Sequence, residues 1–239
     1  DGASQETVTL DAGTGTTSVG VIGSGTEIGV LTIGSSDNGG ITLNGAITTD
    51  GAVTIDGPVT LATGAVSVTT ANDAISFNHS IDGGQTLTLS SGSAAITFTG
   101  ALGASTSLGG LTVNSAAGAG NITFSSTIGD AENAGVVGTT AIGNAATNDL
   151  NFNSTIYSFN GATTITAKSG DTIDLGAGAA TQFLTSNDNI TFATGNIELA
   201  NGSDLTVDTG AEGGNITIGE IDGASQETVT LDAGTGTTS

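Results

Sequence analysis

Residues Asp1 to Ser18 read DGASQETVTLDAGTGTTS, and residues Asp222 to Ser239 read the same letters in the same order, without a substitution. The second copy starts at Asp222 where the first starts at Asp1. A closed globular core cannot meet this constraint, because the chain starts to build again what it has just built. The expectation is that residues 1–221 are one complete solenoid repeat unit and residues 222–239 the start of the next, identical one. The chain begins without Met and is read as a window on a longer tandem array. An architecture that continues by repetition is a stack without a single centre.

Composition decides between an ordered stack and a disordered repeat. The chain has 40 Gly, one Pro, seven Phe and one Tyr, and no Cys, Met or Trp. So much Gly and Ser would suit a disordered segment. A hydrophobic content of 36% and a mean hydropathy of +0.20 argue for a folded chain. Collagen needs Gly at every third position, and that period is absent.

The local signal is a triplet of apolar, small polar and apolar residues. It runs through Val8-Thr9-Leu10, Leu31-Thr32-Ile33, Val53-Thr54-Ile55, Leu87-Thr88-Leu89, Ile122-Thr123-Phe124 and Ile216-Thr217-Ile218, with many more between. Period two predicts strands whose outer residues face in and whose middle residue faces out. Pairs such as Asn44-Gly45, Asp50-Gly51, Asp56-Gly57, Asp82-Gly83, Asn160-Gly161, Asn201-Gly202 and Asp222-Gly223 separate them, and are read as turns using positive φ.

Weaker echoes lie inside the unit. Val8, Leu10 and Gly13 recur as Leu87, Leu89 and Gly92; Gly23, Leu31 and Ile33 as Gly103, Leu111 and Val113; Ile41 and Leu43 as Ile122 and Phe124. The offset grows slightly from each of these groups to the next, so loops slip while apolar positions hold. LTVDTGAEGGNITI, from Leu205, echoes LTVNSAAGAGNITF, from Leu111.

Two architectures fit. One is an all-β, right-handed parallel β-solenoid (β-helix) with two or three short strands and about 20 residues per coil. At about 4.8 Å per coil, one unit would climb roughly 50 Å in about eleven coils. The alternative is a string of tandem β-sandwich domains of about 100 residues. Sandwich strands run longer around a large aromatic, and Trp is absent here. Triplets of small β-branched residues suit a narrow coil, and the solenoid is preferred.

The runs VTLDAGTGTTSVGVIG, SLGGLTVNSAAGAGNITF and LTVDTGAEGGNITI resemble the degenerate repeats of filamentous-haemagglutinin-like bacterial surface proteins. That resemblance implies a long secreted chain, a right-handed parallel β-helix, and a role as an adhesin or fibrous cell-surface material. The family's amino-terminal secretion domain is not in this sequence.

Charge narrows the partners. There are 23 acidic residues against Lys168 alone, a formal net charge of −22. This disfavours nucleic acid and anionic membranes, and no apolar run of about 18 residues offers a membrane span.

Candidate sites are few. His79 is the only histidine, too little for a zinc site, and reads as a solvated corner residue. Lys168 reads as a surface charge within reach of Asp171 or Asp174. The carboxyl pairs Asp171 with Asp174 and Asp130 with Glu132 could serve glycoside hydrolysis, but reading them as solvated corner acids is simpler. Asn187-Asp188-Asn189 with Glu212 and Asn215 form an oxygen-rich group to test for calcium, although no calcium-loop motif is present. Gly118-Ala119-Gly120 is read as a corner and not as a phosphate loop. An outward row of Thr9, Thr42, Thr88, Thr123 and Thr217 could order water or bind ice. No residue is assigned a catalytic, cofactor-binding or metal-binding role; weak, non-specific screening by Ca2+ or other cations is expected. The expected function is a structural segment of an extracellular bacterial fibre or adhesin shaft. The alternative is a ligand-binding face, for ice or glycan. The shaft would continue head to tail with identical repeats, with room for lateral fibre contacts.

Overall fold

The computed structural model describes residues 6–114, 119–176 and 180–239, and these contain strands, turns and no helix. In chain order the first coils hold β1 (Val8–Leu10), β2 (Thr16–Val19), β3 (Leu31–Gly34), β4 (Gly40–Leu43), β5 (Ile47–Thr49), β6 (Val53–Asp56), β7 (Val59–Leu61) and β8 (Val66–Thr70). Next come β9 (Ile75–Phe77), β10 (Ile81–Asp82), β11 (Thr86–Ser90), β12 (Ile96–Phe98), β13 (Gly110–Val113), β14 (Ile122–Phe124), β15 (Thr140–Ile142) and β16 (Leu150–Phe152). The last are β17 (Ile156–Phe159), β18 (Thr163–Ile165), β19 (Thr172–Leu175), β20 (Thr181–Thr185), β21 (Ile190–Leu199), β22 (Leu205–Asp208), β23 (Ile216–Gly223) and β24 (Val229–Asp232).

Every strand pairs in parallel with a strand one coil away, which gives a three-sided stack. Side 1 runs β1-β3-β6-β9-β12-β14-β16-β19 and continues through the second halves of β21 and β23. Side 2 starts with β2-β4-β7-β10, crosses two coils by single bridges at Leu102 and Ile128, and resumes as β17-β20-β22-β24. Side 3 is β5-β8-β11-β13-β15-β18 and the first halves of β21 and β23. The fold is therefore an all-β parallel solenoid. The tandem-sandwich alternative is excluded, since its hairpins would pair antiparallel.

Coils are longer than the roughly 20 residues expected of a coil with two or three short strands. On side 1, Val8, Leu31, Val53, Ile75, Ile96, Ile122, Leu150, Ile173, Ile197 and Ile221 occupy one register. Nine steps separate Val8 from Ile221; the shortest runs from Ile75 to Ile96 and the longest from Ile122 to Leu150. The unit thus has nine coils and a fraction, where eleven were expected. The longest step carries the loops before Val136 and Leu150, whose residues add length without adding a side.

The triplet rule places side chains as read. Ile122 and Phe124 are fully buried and Thr123 between them is half-exposed. Inward Ile, Val and Leu from all three sides meet in one core that follows the axis. Each such burial contributes about 2 kcal/mol. Aromatics concentrate in the middle: Phe77, Phe98, Phe124 and Phe152 lie in register on side 1, with ring centroids 5.8, 4.8 and 5.3 Å apart and nearly parallel planes. At Phe152 the stack turns, because Tyr157 and Phe183 of side 2 meet its edge at 4.8 and 5.2 Å. Burial pushes the Tyr157 hydroxyl well above its ordinary pKa, and its oxygen accepts the Ser154 N–H at 2.9 Å.

Corners are closed by buried hydroxyls that the triplet rule does not foresee. Thr49 Oγ1 donates to Gly51 O at 2.5 Å, Ser91 Oγ to Ala94 O at 2.6 Å, and Thr185 Oγ1 to Asp188 O at 2.5 Å. Each satisfies a carbonyl where the chain leaves the ladder.

The Asx-Gly pairs are corners or strand ends, but mostly for another reason than positive φ. Of those seven glycines only Gly83 and Gly202 have it. Gly161 is needed because a Cβ there would lie 2.5 Å from Gly138 O in the coil below.

The two identical segments take the same local path on different sides. Val8–Leu10 lies on side 1 and Val229–Asp232 on side 2. In both, the following DAGTG makes one turn: Gly15 N–H to Ala12 O at 3.0 Å, and Gly236 N–H to Ala233 O at 2.7 Å. Leu10 and Leu231 both pack partly buried against the core, Thr9 and Thr230 face out, and Glu6 is exposed and Glu227 half-exposed. A continuing array is expected to relate Asp1 to Asp222 mainly by a shift along the axis, with some twist; Asp1 lies outside the described residues, and the matched strands differ by a whole side.

Candidate functional site

Three kinds of surface result: corner acids and amides, outward rows along each side, and a groove at one corner.

The corner acids and amides bind the stack together along its axis. Asp82 Oδ1 accepts the N–H groups of Ser105 and Thr106, one coil on, at 2.8 and 3.0 Å. Asp204 Oδ1 takes the Thr228 N–H at 2.8 Å. Asn72 takes that of Ser93 at 3.2 Å, and Asp149 that of Thr172 at 3.3 Å. Partners lie 21 to 24 residues apart in sequence. The same physics explains the oxygen-rich group. Asn187 Oδ1 accepts Glu212 N–H, Asn189 Oδ1 accepts Asn215 N–H, and Asn215 Oδ1 accepts Thr237 N–H, all at 2.8 to 2.9 Å. The structure brings these residues together, with their amide oxygens already engaged by backbone donors.

The remaining candidates fall in separate places. His79 sits at the corner after β9, with Nε2 3.3 Å from Asp56 Oδ1. Lys168 Nζ is 2.9 Å from Asp171 Oδ2 at an exposed corner. Asp130 caps its own turn, accepting Glu132 and Asn133 N–H at 2.8 and 2.7 Å. Those bonds hold its carboxyl below the usual range. Glu227, which accepts the Ser225 N–H, is lowered in the same way. Gly118 lies outside the described residues.

The threonines of the expected outward row belong to three different rows. Thr9 and Thr123 lie on side 1, Thr42 on side 2, and Thr88 and Thr217 on side 3. Side 1 carries an uncharged row of seven partners from Thr9 to Asn151, and side 3 carries one of equal length: Ser67, Thr88, Thr112, Ala141, Thr164, Thr191 and Thr217 are successive partners. Strand acids are segregated from it. Asp56, Asp174, Glu198, Glu220 and Asp222 lie on side 1, Asp82, Asp208 and Asp232 on side 2, and the strands of side 3 have none.

On side 1 the hydroxyl row gives way to acid: Asn151, Asp174, Glu198 and Asp222 follow one another in register. Like charges on adjacent strands repel. Burial, and then the nearby Asp149 carboxylate, raise the Asp174 pKa. A carboxyl with a raised folded-state pKa destabilises the fold above its unfolded pKa, and the penalty is relieved as pH falls through the folded value. Asp174→Asn is therefore expected to stabilise the protein at pH 7 by about 0.5 kcal/mol. The gain should shrink as pH falls through the raised folded value and vanish below about pH 3, where the carboxyl is protonated in both states. Denaturant midpoints of both proteins across that range check it. Asp130 and Glu227 work in the opposite sense: their contribution is present at neutral pH and is lost as pH falls below the carboxylate range.

A groove of about 520 Å3 opens at the corner between sides 2 and 3, with Ser158, Asn160, Thr185 and Asn187 along it and Glu132 and Glu212 at its rim. Phe159 borders it, but that ring is buried. All seven Phe and Tyr157 are buried, so no aromatic face is offered to a sugar ring. No protein-family model, curated protein or solved structure matches the chain.

Proposed function

We propose that the chain is the structural repeat segment of a very long extracellular bacterial fibre or adhesin shaft, without catalysis. The observation that carries this reading is an unbroken parallel stack from β1 to β24 in a chain that begins its own sequence again at Asp222. Its mechanism is mechanical. Backbone ladders and corner carboxylates tie each coil to the next, the inward residues make one core along the axis, and the wet acidic sheath keeps shafts apart. The lack of Cys leaves cohesion to these ladders and the core. The filamentous-haemagglutinin-like character of the runs quoted above supports the surface location.

Antibodies raised against the folded chain test this on the bacterium that makes it. Labelling of thin filaments on intact cells is expected; labelling only after the envelope is opened would contradict it.

One observation favours a second reading, an ice-binding face: the uncharged row from Ser67 to Thr217 on side 3, which bears a hydroxyl at every position but Ala141. The glycan reading lacks its aromatic platform. If the row binds ice, the chain slows ice recrystallisation and Thr112→Asp abolishes the effect. An inactive parent chain would dispose of the idea.

A further inference from the structure

The sides of the stack are interchangeable, and this bears on how one unit joins the next. One turn occurs at all three kinds of corner. It links Ala12 to Gly15 between sides 1 and 2, Ser91 to Ala94 between sides 3 and 1, and Ala233 to Gly236 between sides 2 and 3. The closing N–H···O distances are 3.0, 3.1 and 2.7 Å. The left-handed glycines within these turns, Gly13, Gly92 and Gly234, have φ of 56°, 57° and 54°. The preceding strands are Val8–Leu10, Thr86–Ser90 and Val229–Asp232, one from each side.

The internal echoes obey the same rule. Val8 on side 1 corresponds to Leu87 on side 3; Leu31 on side 1 to Leu111 on side 3; Ile41 on side 2 to Ile122 on side 1. Leu111 on side 3 corresponds to Leu205 on side 2. Each displacement is three coils and two further sides, although Leu205 lies further along the chain from Leu111 than Leu87 does from Val8. What repeats in this chain is the side with its corner, and the whole coil is not the repeated element.

From Val8 on side 1 to Val229 on side 2 is nine coils and one side. We infer that the open carboxyl-terminal edge, formed by the second half of β23, by β24 and by Thr238, receives the next unit one side out of phase. Its occupant is the sequence that follows Ser18. This rests on the shaft reading above. Each unit is then turned by one side relative to its predecessor, and a given strand returns to the same sheet after three units. One unit climbs about 45 Å and the full period is about 134 Å. Side 3, whose strands carry no charge, consequently faces three directions in turn along the shaft. A neighbouring fibre meets an uncharged patch once in three units, while carboxylates of sides 1 and 2 repel it between.

Two experiments test this. In the 239-residue chain, which has no native thiol, Thr206→Cys with Thr230→Cys places the thiols on directly paired strands of side 2. A short bifunctional thiol reagent should link them within one molecule, while the pair Glu198→Cys with Thr230→Cys, on different sides, should stay unlinked. The reverse result would overturn the inference. In a chain of four consecutive units, a cryo-electron microscopy map should show the VTL strand of the first unit recurring in the same sheet only in the fourth. Recurrence in the same sheet at every unit would overturn the phase step and leave the shaft intact. Separate beads without density between them would overturn the shaft reading and this inference with it.

Discussion

Ile122→Asp is expected to destabilise the fold by about 3 kcal/mol or more, while Thr123→Asp costs under about 1 kcal/mol. Ile122 is fully buried, in register with Ile96 below and Leu150 above. A carboxylate there would face a core with no cation to meet it, since the chain's only Lys or Arg, Lys168, lies at an exposed corner. Thr123 points outward between Thr97 and Asn151, where water solvates a charge. Because the two positions are adjacent, their strand and their coil are the same and only the facing differs. Urea titrations of both variants give the comparison. Similar midpoints for the two would refute the inward and outward assignment.

Phe152→Ala is expected to cost about 4 kcal/mol. Its ring ends the side 1 stack on Phe124 at 5.3 Å and takes the edges of Tyr157 and Phe183 from side 2. Removing it empties a site touched from two sides, and the stacked rings are held by their own strands and cannot all move in. Phe77→Ala, at the other end of the stack with one ring neighbour, Phe98, should cost less. In a one-dimensional stack the loss is felt through neighbouring coils. Amide exchange in Phe152→Ala should therefore accelerate around β14, β16 and β19 before it does around β3 and β6. Uniform acceleration along the whole chain would mean a single cooperative core.

Much of this fold was legible because the inward and outward alternation of Val-Thr-Leu or Ile-Thr-Phe is local. Three residues state it, and no distant partner is needed to read it. Coil length was not legible, because a corner can be short or long without disturbing the ladder. The step from Ile96 to Ile122 is longer than that from Ile75 to Ile96, although the strands match. For the same reason Thr9 and Thr88 looked like one row and lie on different sides. The axial contacts of Asp82 with Ser105 and of Asn189 with Asn215 were hidden by sequence separations of 23 and 26 residues, set by those same corners. The oxygen-rich group around Asn187 was visible as a cluster. Its amide oxygens' engagement with backbone N–H groups of the next coil was not.

The shaft depends on one geometric feature: strands pair along the long axis and not across it. Fibre diffraction from aligned specimens of a multi-unit chain tests it directly. A strong reflection near about 4.8 Å parallel to the axis is predicted, because each coil pairs with the next in that direction. The same spacing perpendicular to the axis, or a chain resolved into beads of about 100 residues, would contradict it.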